Sequence, residues 1–421
     1  MAALWKSVAL ATALMLIPCA APAGDWPQWR GPTGMGFTDE KNLPTTWGGK
    51  TAENVLWKID LPKSHNPYSS PIVVGDHVYL TWSLAQPLEH HVTCYQKSDG
   101  RQLWDAVVPP GKLKYTDGRA TYSAPTPAAD AQRVYAVFGS AVVAGLAAAD
   151  GKVLWRHELE RISFDVCMGS SPVLYPGTGT ARAVAGQDTI IYLADQNDRK
   201  SSLIAFDRKS GAVKWEALRP DAQFAHSTPI VITVKGAPQL VIAASGAVQG
   251  ADPAGGKIIW WCKNPGDTSS PAFGGGLVYA DDGRDPSHTG VCVDPSGTGD
   301  VSATNVKWQL PVKNDLSSPI IVGEHLYRQS SRTLQCIKLA DGSPVYSEPM
   351  PGYHFWASPV ATADGLLYFA TAGTSYVIKA GPKFEVVAKN DLGDMHFASA
   401  AVSDGKIFLR GNKFLFCIGR K

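Results

Sequence analysis

The sequence predicts an all-β fold, an eight-bladed β-propeller, from three observations. The chain has 421 residues with 41 Gly, 30 Pro and 13 Trp, a composition typical of many short strands joined by tight turns. A Ser/Thr/Ala-Pro step followed by an apolar strand recurs along the chain at intervals that suit one four-stranded blade. The two ends of the repeat region supply strands that complete one another, which closes a ring and hides its sheet edges.

The recurring step marks the start of each predicted blade. Each copy leads through a Gly or Asp turn into a second strand that ends in an aromatic residue, which is the pattern of a β-hairpin. The copies begin at Ser70-Pro71, Ala124-Pro125, Ser171-Pro172, Thr228-Pro229, Ser270-Pro271, Ser318-Pro319, Ser358-Pro359 and, without the proline, Ser399-Ala400.

A tryptophan ends the second hairpin of most copies, at a fixed offset from the turn. We expect these side chains to lie on the same face of the outer strand and to dock between neighbouring blades. Burying one such ring removes roughly 150–250 Å² from water, worth about 4–6 kcal/mol as an upper estimate. The predicted docking tryptophans are Trp57, Trp104, Trp155, Trp215, Trp260 and Trp308.

Ring closure follows from the last copy, which supplies only three strands and ends at Phe414–Cys417. The missing fourth strand is predicted near the N-terminus, at Val55–Ile59. Seven complete blades plus this shared blade give eight. Seven blades remain an alternative if the degenerate seventh copy, around Val377–Val387, is an insertion.

The N-terminal residues 1–23 resemble a signal peptide. Lys6 precedes an apolar stretch too short to span a bilayer, and Ala21-Pro22-Ala23 fits a cleavage site. We therefore expect an exported protein, periplasmic or extracellular, whose residues 24–421 form a single propeller domain without a transmembrane segment. A lipoprotein anchored at Cys19 is disfavoured, because Pro18 stands where a small residue is needed.

The motif A-x-D-x-x-[TS]-G-x-x-x-W is matched by Ala205–Trp215, and Ala147–Trp155 is a shortened copy. With the opening segment Asp25–Pro32, these residues resemble secreted bacterial proteins of pyrroloquinoline-quinone (PQQ)-like repeats, over roughly residues 25–421. The ring is also similar to the outer-membrane assembly propeller BamB. The resemblance implies one of two classes: PQQ-dependent dehydrogenases, with the quinone over the central pore, or scaffolds that bind no quinone.

The sequence favours the scaffold class. It has no adjacent cysteine pair of the kind that lies against the quinone in the alcohol-oxidising enzymes, and no C-x-x-C-H haem site. We expect no catalytic residue, cofactor or metal, because the carboxylates of Asp281–Asp285 lack the spacing of a calcium loop. The alternative is a PQQ-dependent oxidoreductase of the alcohol or sugar dehydrogenase type, with PQQ and calcium. A hydrolase or lyase has no specific support.

The loops that precede the inner strands carry polar and aromatic residues and lie on one face of the ring, around the mouth of the channel. Such a concave surface is the predicted binding site for a protein or an envelope polysaccharide; the alternative is that the histidines only satisfy backbone carbonyls. The near-neutral net charge of +2 gives no support for a nucleic-acid partner, and we expect a monomer. The predicted binding residues are His65, Tyr68, Tyr122, His226, Asp315, His354, Trp356 and His396.

Four cysteines occupy the third strand of their predicted blades. Equivalent positions in neighbouring blades lie farther apart than the roughly 7 Å between Cα atoms that a disulfide allows, so we expect buried free thiols. These are Cys94, Cys292, Cys336 and Cys417. The pairing of Cys167 and Cys262 remains open.

Overall fold

The computed structural model contains β-strands and no helix among the residues it describes, and the strands form eight separate sheets. The described part of the chain therefore contains no helix that could cross a membrane. The described residues are 24–64, 68–112, 121–159, 169–176, 188–194, 201–219, 222, 225–264, 269–281, 289–312, 316–330, 332–350, 357–371 and 373–421.

Each sheet is one antiparallel, four-stranded blade. Two strands, β1 (Phe37–Thr38) and β2 (Val55–Asp60), precede the first complete blade. From inner to outer strand, blades 1 to 4 are β3 (Ile72–Val74), β4 (His77–Ala85), β5 (Leu88–Gln96) and β6 (Gln102–Val108); β7 (Ala128–Ala129), β8 (Arg133–Phe138), β9 (Val142–Ala147) and β10 (Val153–Glu158); β11 (Val173–Tyr175), β12 (Thr189–Ala194), β13 (Ser202–Asp207) and β14 (Val213–Leu218); and β15 (Ile230–Val234), β16 (Ala237–Ala244), β17 (Gly246–Ala251) and β18 (Ile258–Asn264).

Blades 5 to 8 continue the pattern. They are β19 (Ala272–Gly274), β20 (Leu277–Ala280), β21 (Thr289–Val293) and β23 (Val306–Pro311); β24 (Ile320–Val322), β25 (His325–Ser330), β26 (Thr333–Lys338) and β27 (Pro344–Pro349); β28 (Val360–Thr362), β29 (Leu366–Ala370), β30 (Thr374–Lys379) and β31 (Val386–Asp391); and β32 (Ala401–Ser403), β33 (Lys406–Arg410), β34 (Phe414–Ile418) and β2. Short strands are added in parallel to two blades, β22 (Gly299–Asp300) to β18 and β1 to β28.

The N-terminal strand closes the ring as the sequence predicted. β2 pairs antiparallel with β34, with Trp57 opposite Cys417. The degenerate seventh copy forms a complete blade, β28 to β31. The propeller therefore has eight blades, and the seven-bladed alternative was wrong.

A closed ring of eight hydrogen bonds joins the blades next to the inner strands. In each blade the backbone N–H of a Ser or Thr donates to the side-chain hydroxyl of the equivalent residue in the next blade, over 2.8–3.0 Å. The last of these bonds runs from Ser399 to Ser70 and so connects blade 8 to blade 1. We call this set the hydroxyl ring; its members are Ser70, Thr126, Ser171, Thr228, Ser270, Ser318, Ser358 and Ser399.

The hydroxyl ring corrects the start of the second blade. Thr126, and not Ala124, accepts the N–H of Ser70 and donates its own N–H to Ser171. The sequence reads Ala124-Pro125-Thr126-Pro127, so two steps of the repeated pattern overlap. Only the second step carries the hydroxyl that an inter-blade bond needs, and the first was therefore the wrong choice.

Buried apolar side chains cluster at the junctions between neighbouring blades, and tryptophans link these junctions. The indole N–H of Trp104 donates to the backbone oxygen of Ala148 in the next blade over 3.0 Å. Gly151 of the same turn has φ +74°, and a Cβ there would lie 2.6 Å from Cε3 of Trp104. The Gly and Trp of the repeated motif therefore fit one another across the blade boundary. Trp57, Trp155 and Trp308 make the same bond to the next blade, and Trp215 packs against Gly256.

Three junctions depart from this arrangement, and in one of them the outer strand of blade 6 carries Tyr346 in place of a tryptophan. The indole of Trp260 is fully buried but donates within its own blade, to Gln239 Oε1 over 2.8 Å. In the degenerate blade 7, whose β31 has no tryptophan, Trp47 of the N-terminal segment stacks on Tyr368 with ring centroids 6.2 Å apart. An aromatic ring from elsewhere in the sequence thus occupies the junction that the repeat leaves without one.

The described cysteines are buried free thiols, as expected for the four third-strand positions. Cys94 lies directly across the sheet from Trp104, and burial raises its pKa to about 12, so the thiol is unreactive at neutral pH. Cys262 is also a free, buried thiol, whereas Cys167 lies outside the described residues.

Candidate functional site

The antiparallel blades give the ring two different faces. The turns between the first and second strands of every blade lie on one face, because each inner strand runs toward it. The loops that precede the inner strands, and the turns between second and third strands, lie on the opposite face. We call this second face the loop face; it is where the sequence placed the channel mouth.

The other end of the channel is covered by residues 24–38, which we call the plug. Its Asp25 carboxylate accepts the N–H of Gly75, in the first turn of blade 1, over 2.8 Å. The plug then crosses the ring and ends in β1, which adds to blade 7. Its backbone and side-chain bonds are Trp26 to Val73 in blade 1, Pro27 to Ala129 in blade 2, Gln28 to Leu174 in blade 3, Arg30 to Pro319 in blade 6 and Gly36 to Ala361 in blade 7.

Half of the predicted binding residues lie within the part of the chain that the structure describes. Tyr68 packs edge to face against Phe397, with ring centroids 5.9 Å apart, and His226 is half-buried beside Gly169. The residues that lie outside the described part of the chain are His65, Asp315, His354 and Trp356, together with Asp282–Asp285 of the carboxylate-rich loop.

The other two described residues are buried. His396 is 2% exposed, and its ring nitrogens contact Ser375 Oγ and the Asp394 backbone oxygen at 3.1 and 3.2 Å. Burial lowers the pKa of His396, so the neutral imidazole is favoured. Tyr122 is 6% exposed and lies beside His90. Both side chains therefore make contacts within the protein.

Asp281 of the carboxylate-rich segment is a structural group. It accepts a hydrogen bond from Ser269 and lies 3.8 Å from Nη1 of Arg328, which also donates to Tyr279 over 2.7 Å. Burial raises the pKa of Asp281, opposed by the Arg328 charge. Among the described residues, no three His, Cys, Asp or Glu side chains lie close enough to bind a metal together.

A polar cluster that the sequence pattern did not predict lies in the long hairpin of blade 1. Its strands β4 and β5 have nine residues each. His91 stacks on Trp82 with ring centroids 3.7 Å apart, and its Nδ1 lies 3.1 Å from Asp105. His90 bonds to Ser83 and to Ser140 of blade 2, and burial lowers its pKa to about 3. The signal in the sequence was the His90-His91 pair, whose members face opposite sides of a strand.

Two of the described loop-face residues already contact other parts of the protein. Tyr68 meets Phe397 edge to face, and His396 is already bonded inside the ring. The sequence also has no adjacent cysteine pair.

A closed ring of eight four-stranded blades with Trp–Gly docking across the blade boundaries defines a β-propeller of PQQ-like repeats. Its plug and loop face distinguish the two ends of the channel. The chain belongs to the family described as "Outer membrane protein assembly factor BamB", which matches residues 45–163 and 170–348.

Solved structures share this fold at low sequence identity. BamB from Moraxella catarrhalis is 12% identical with a TM-score of 0.58, over 86% of this chain and 96% of that one. A europium-containing methanol dehydrogenase is 11% identical with a TM-score of 0.67, over 92% and 89%. The quinohemoprotein alcohol dehydrogenase of Comamonas testosteroni is 13% identical with a TM-score of 0.55, over 96% and 82%. A search of curated protein sequences gave no significant match.

Proposed function

We propose that the protein is an exported, non-catalytic binding module whose loop face holds a partner protein. The observation that carries this proposal is the plug. Residues 24–38 bond to residues in or beside the inner strands of five blades and cover one end of the channel. The loop face is therefore the concave surface that stays open to a partner.

The long hairpin of blade 1 also favours the loop face as the binding surface. The turn between β4 and β5 lies at the loop face, and Gln86 at its tip is exposed. The hairpin is stiffened from within by Trp82, His91 and Asp105. A rigid, projecting element of this kind presents a surface at low entropic cost to binding.

The family description supports a protein as the partner, because it refers to an assembly factor. The signal-like residues 1–23 support export. The missing cysteine pair and haem site support a role without catalysis. A polysaccharide is the alternative partner, and the experiment below distinguishes it from a protein.

Site-specific photocrosslinking in envelope preparations tests the face. A photoreactive phenylalanine replaces Gln86 at the loop face, and the matched control replaces Ser98, which is exposed at the other end of the same blade. We expect discrete protein adducts from position 86 and none from position 98. Equal labelling at both positions would contradict the proposal, and adducts that glycosidases remove would point to a polysaccharide.

A titration with PQQ and calcium tests the absence of catalysis. We expect no saturable change in the melting temperature and no quinone spectrum retained by the protein. A saturable rise in melting temperature together with a bound quinone spectrum would replace the proposal with a PQQ-dependent oxidoreductase.

A further inference from the structure

The side chain of Arg30 extends from the plug to blade 6. Its side chain is fully buried, with 1% of the residue exposed. One guanidinium nitrogen, Nη2, donates to the backbone oxygens of Met35 over 2.9 Å and Pro319 over 2.7 Å. The guanidinium carbon also lies 5.6 Å from the centre of the Trp29 ring. These contacts fix the position of the cation beside the inner strand of blade 6.

The remaining donors of Arg30 are not used by the described part of the protein. Among these residues, Nε and Nη1 have no hydrogen-bond partner, and no carboxylate lies within ion-pairing distance of the guanidinium. Two other buried arginines differ, because Arg208 pairs with Asp188 at 2.9 Å and Arg328 faces Asp281. Burial lowers the pKa of Arg30 to about 9, so the group keeps its charge at neutral pH.

The hydroxyl ring lies next to this cation. Pro319, whose oxygen accepts from Arg30, directly follows the ring member Ser318. Gly36 lies between Arg30 and Pro359, which follows Ser358: a Cβ at this glycine would be 3.1 Å from Arg30 Nε and 2.6 Å from the Pro359 oxygen. The guanidinium therefore lies beside the residues that directly follow the ring members of blades 6 and 7.

The ring hydroxyls retain unused O–H donors beside the inner strands. Each accepts one backbone N–H, and within the described residues none of the eight donates its own hydrogen to the protein. A hydroxyl can accept and donate at the same time. The region around Arg30 thus combines an unpaired cation with nearby hydroxyls, and a buried cation without a counter-charge is costly. Charge-assisted bonds to a negative ligand remove this cost.

We propose that the central channel binds a small inorganic anion at Arg30, next to the hydroxyls of Ser318 and Ser358. The site lies inside the ring, away from the partner surface of the loop face. Halides and tetrahedral oxyanions share the required chemistry, and the experiment separates them.

The first test is calorimetric melting in a gluconate buffer of constant ionic strength, with chloride, sulfate or phosphate replacing gluconate. For the wild type we expect a saturable rise of about 3 °C at a concentration 100-fold above the dissociation constant. Arg30→Gln loses the response, whereas Arg101→Gln removes an exposed charge and keeps it. The anion that acts at the lowest concentration identifies the class. Parallel responses of wild type and Arg30→Gln would overturn the proposal.

A second measurement does not depend on the folding of the Arg30 variant. Crystals of the wild-type protein are soaked in bromide or selenate, and anomalous diffraction locates the bound element. We expect a peak at hydrogen-bonding distance from Nε or Nη1 of Arg30 in at least one soak. Peaks confined to surface sites in both soaks would overturn the proposal.

Discussion

The fit of Gly151 against Trp104 can be tested by adding one methyl group. In Gly151→Ala the backbone at φ +74° becomes strained, which costs about 1–2 kcal/mol. The new carbon would also lie 2.6 Å from Trp104 Cε3 and 2.9 Å from the Ala106 Cβ, and such overpacking adds about 1–3 kcal/mol. We expect a total loss of about 2–5 kcal/mol in the free energy of unfolding.

The expected change in melting temperature follows from chain size. Roughly 400 residues at about 2 cal/mol/K each give an unfolding entropy of about 0.8 kcal/mol/K, so each kcal/mol lowers the melting temperature by about 1.2 °C. Gly151→Ala should lower it by about 2–6 °C in differential scanning calorimetry. The control is Gly365→Ala, where φ is +79° and no atom lies within 4 Å of the added carbon; it carries only the backbone strain, about 1–2 °C.

A double variant separates the contact from the strain. Trp104→Ala alone should cost about 3 kcal/mol. Once that ring is gone, Gly151→Ala no longer meets it, so the double variant should melt above the temperature that adding the single effects predicts, by about 1–4 °C. Strictly additive effects, or equal losses in Gly151→Ala and Gly365→Ala, would refute the proposed fit of glycine and tryptophan across the blade boundary.

Three further predictions concern buried polar groups. Ser70→Ala leaves the Ser399 N–H without its acceptor and should cost about 1–3 kcal/mol, whereas Ser70→Thr, a residue that the ring already uses twice, should be tolerated; melting curves compare the two. Burial holds the pKa of His90 near 3, below its unfolded value of about 6.5, so its contribution to stability is complete above pH 6.5 and is lost as the pH falls toward 3, by up to about 1.4 kcal/mol per pH unit; His90→Gln should flatten the dependence of melting temperature on pH in this window, and an unchanged slope would count against the assignment. Arg328→Met strands the buried Asp281 carboxylate and should cost about 3–5 kcal/mol, much of which Asp281→Asn in the same chain should restore; a single variant as stable as wild type would show that the charge pair is not needed.

Most of the fold could be predicted from the repeat pattern, because each blade repeats the same local chemistry. The turns, the apolar inner strands and the tryptophans after Gly are all encoded within about 40 residues, and the ring of eight follows from stacking them. The pattern failed where local chemistry was ambiguous. Ala124-Pro125 and Thr126-Pro127 look alike in the sequence, and only the hydroxyl partner in the next blade, 45 residues away, distinguishes them.

The site was less predictable, since its residues act through distant contacts. Arg30 reaches a carbonyl 289 positions further along the chain, and Gln28 reaches an N–H 146 positions away. From the sequence, the opening segment Asp25–Pro32 indicated only a family resemblance. In the structure it is part of the plug that covers one end of the channel. Likewise, His396 was assigned to the channel mouth from its loop position, and in the structure it is buried and bonded to Ser375 of the neighbouring blade.

The pairing of β2 with β34 makes the first and last parts of the propeller a single structural unit. During synthesis β2 emerges more than 300 residues before β34 and must remain without its partner strand until β34 has been made. Contacts of such long sequence separation form late and slow folding. A chain cut before Ala401 would lack three strands of blade 8 and leave the facing sides of blades 1 and 7 uncovered. Residues 401–421 are thus needed to close the ring, because they supply the three strands that join β2 in blade 8.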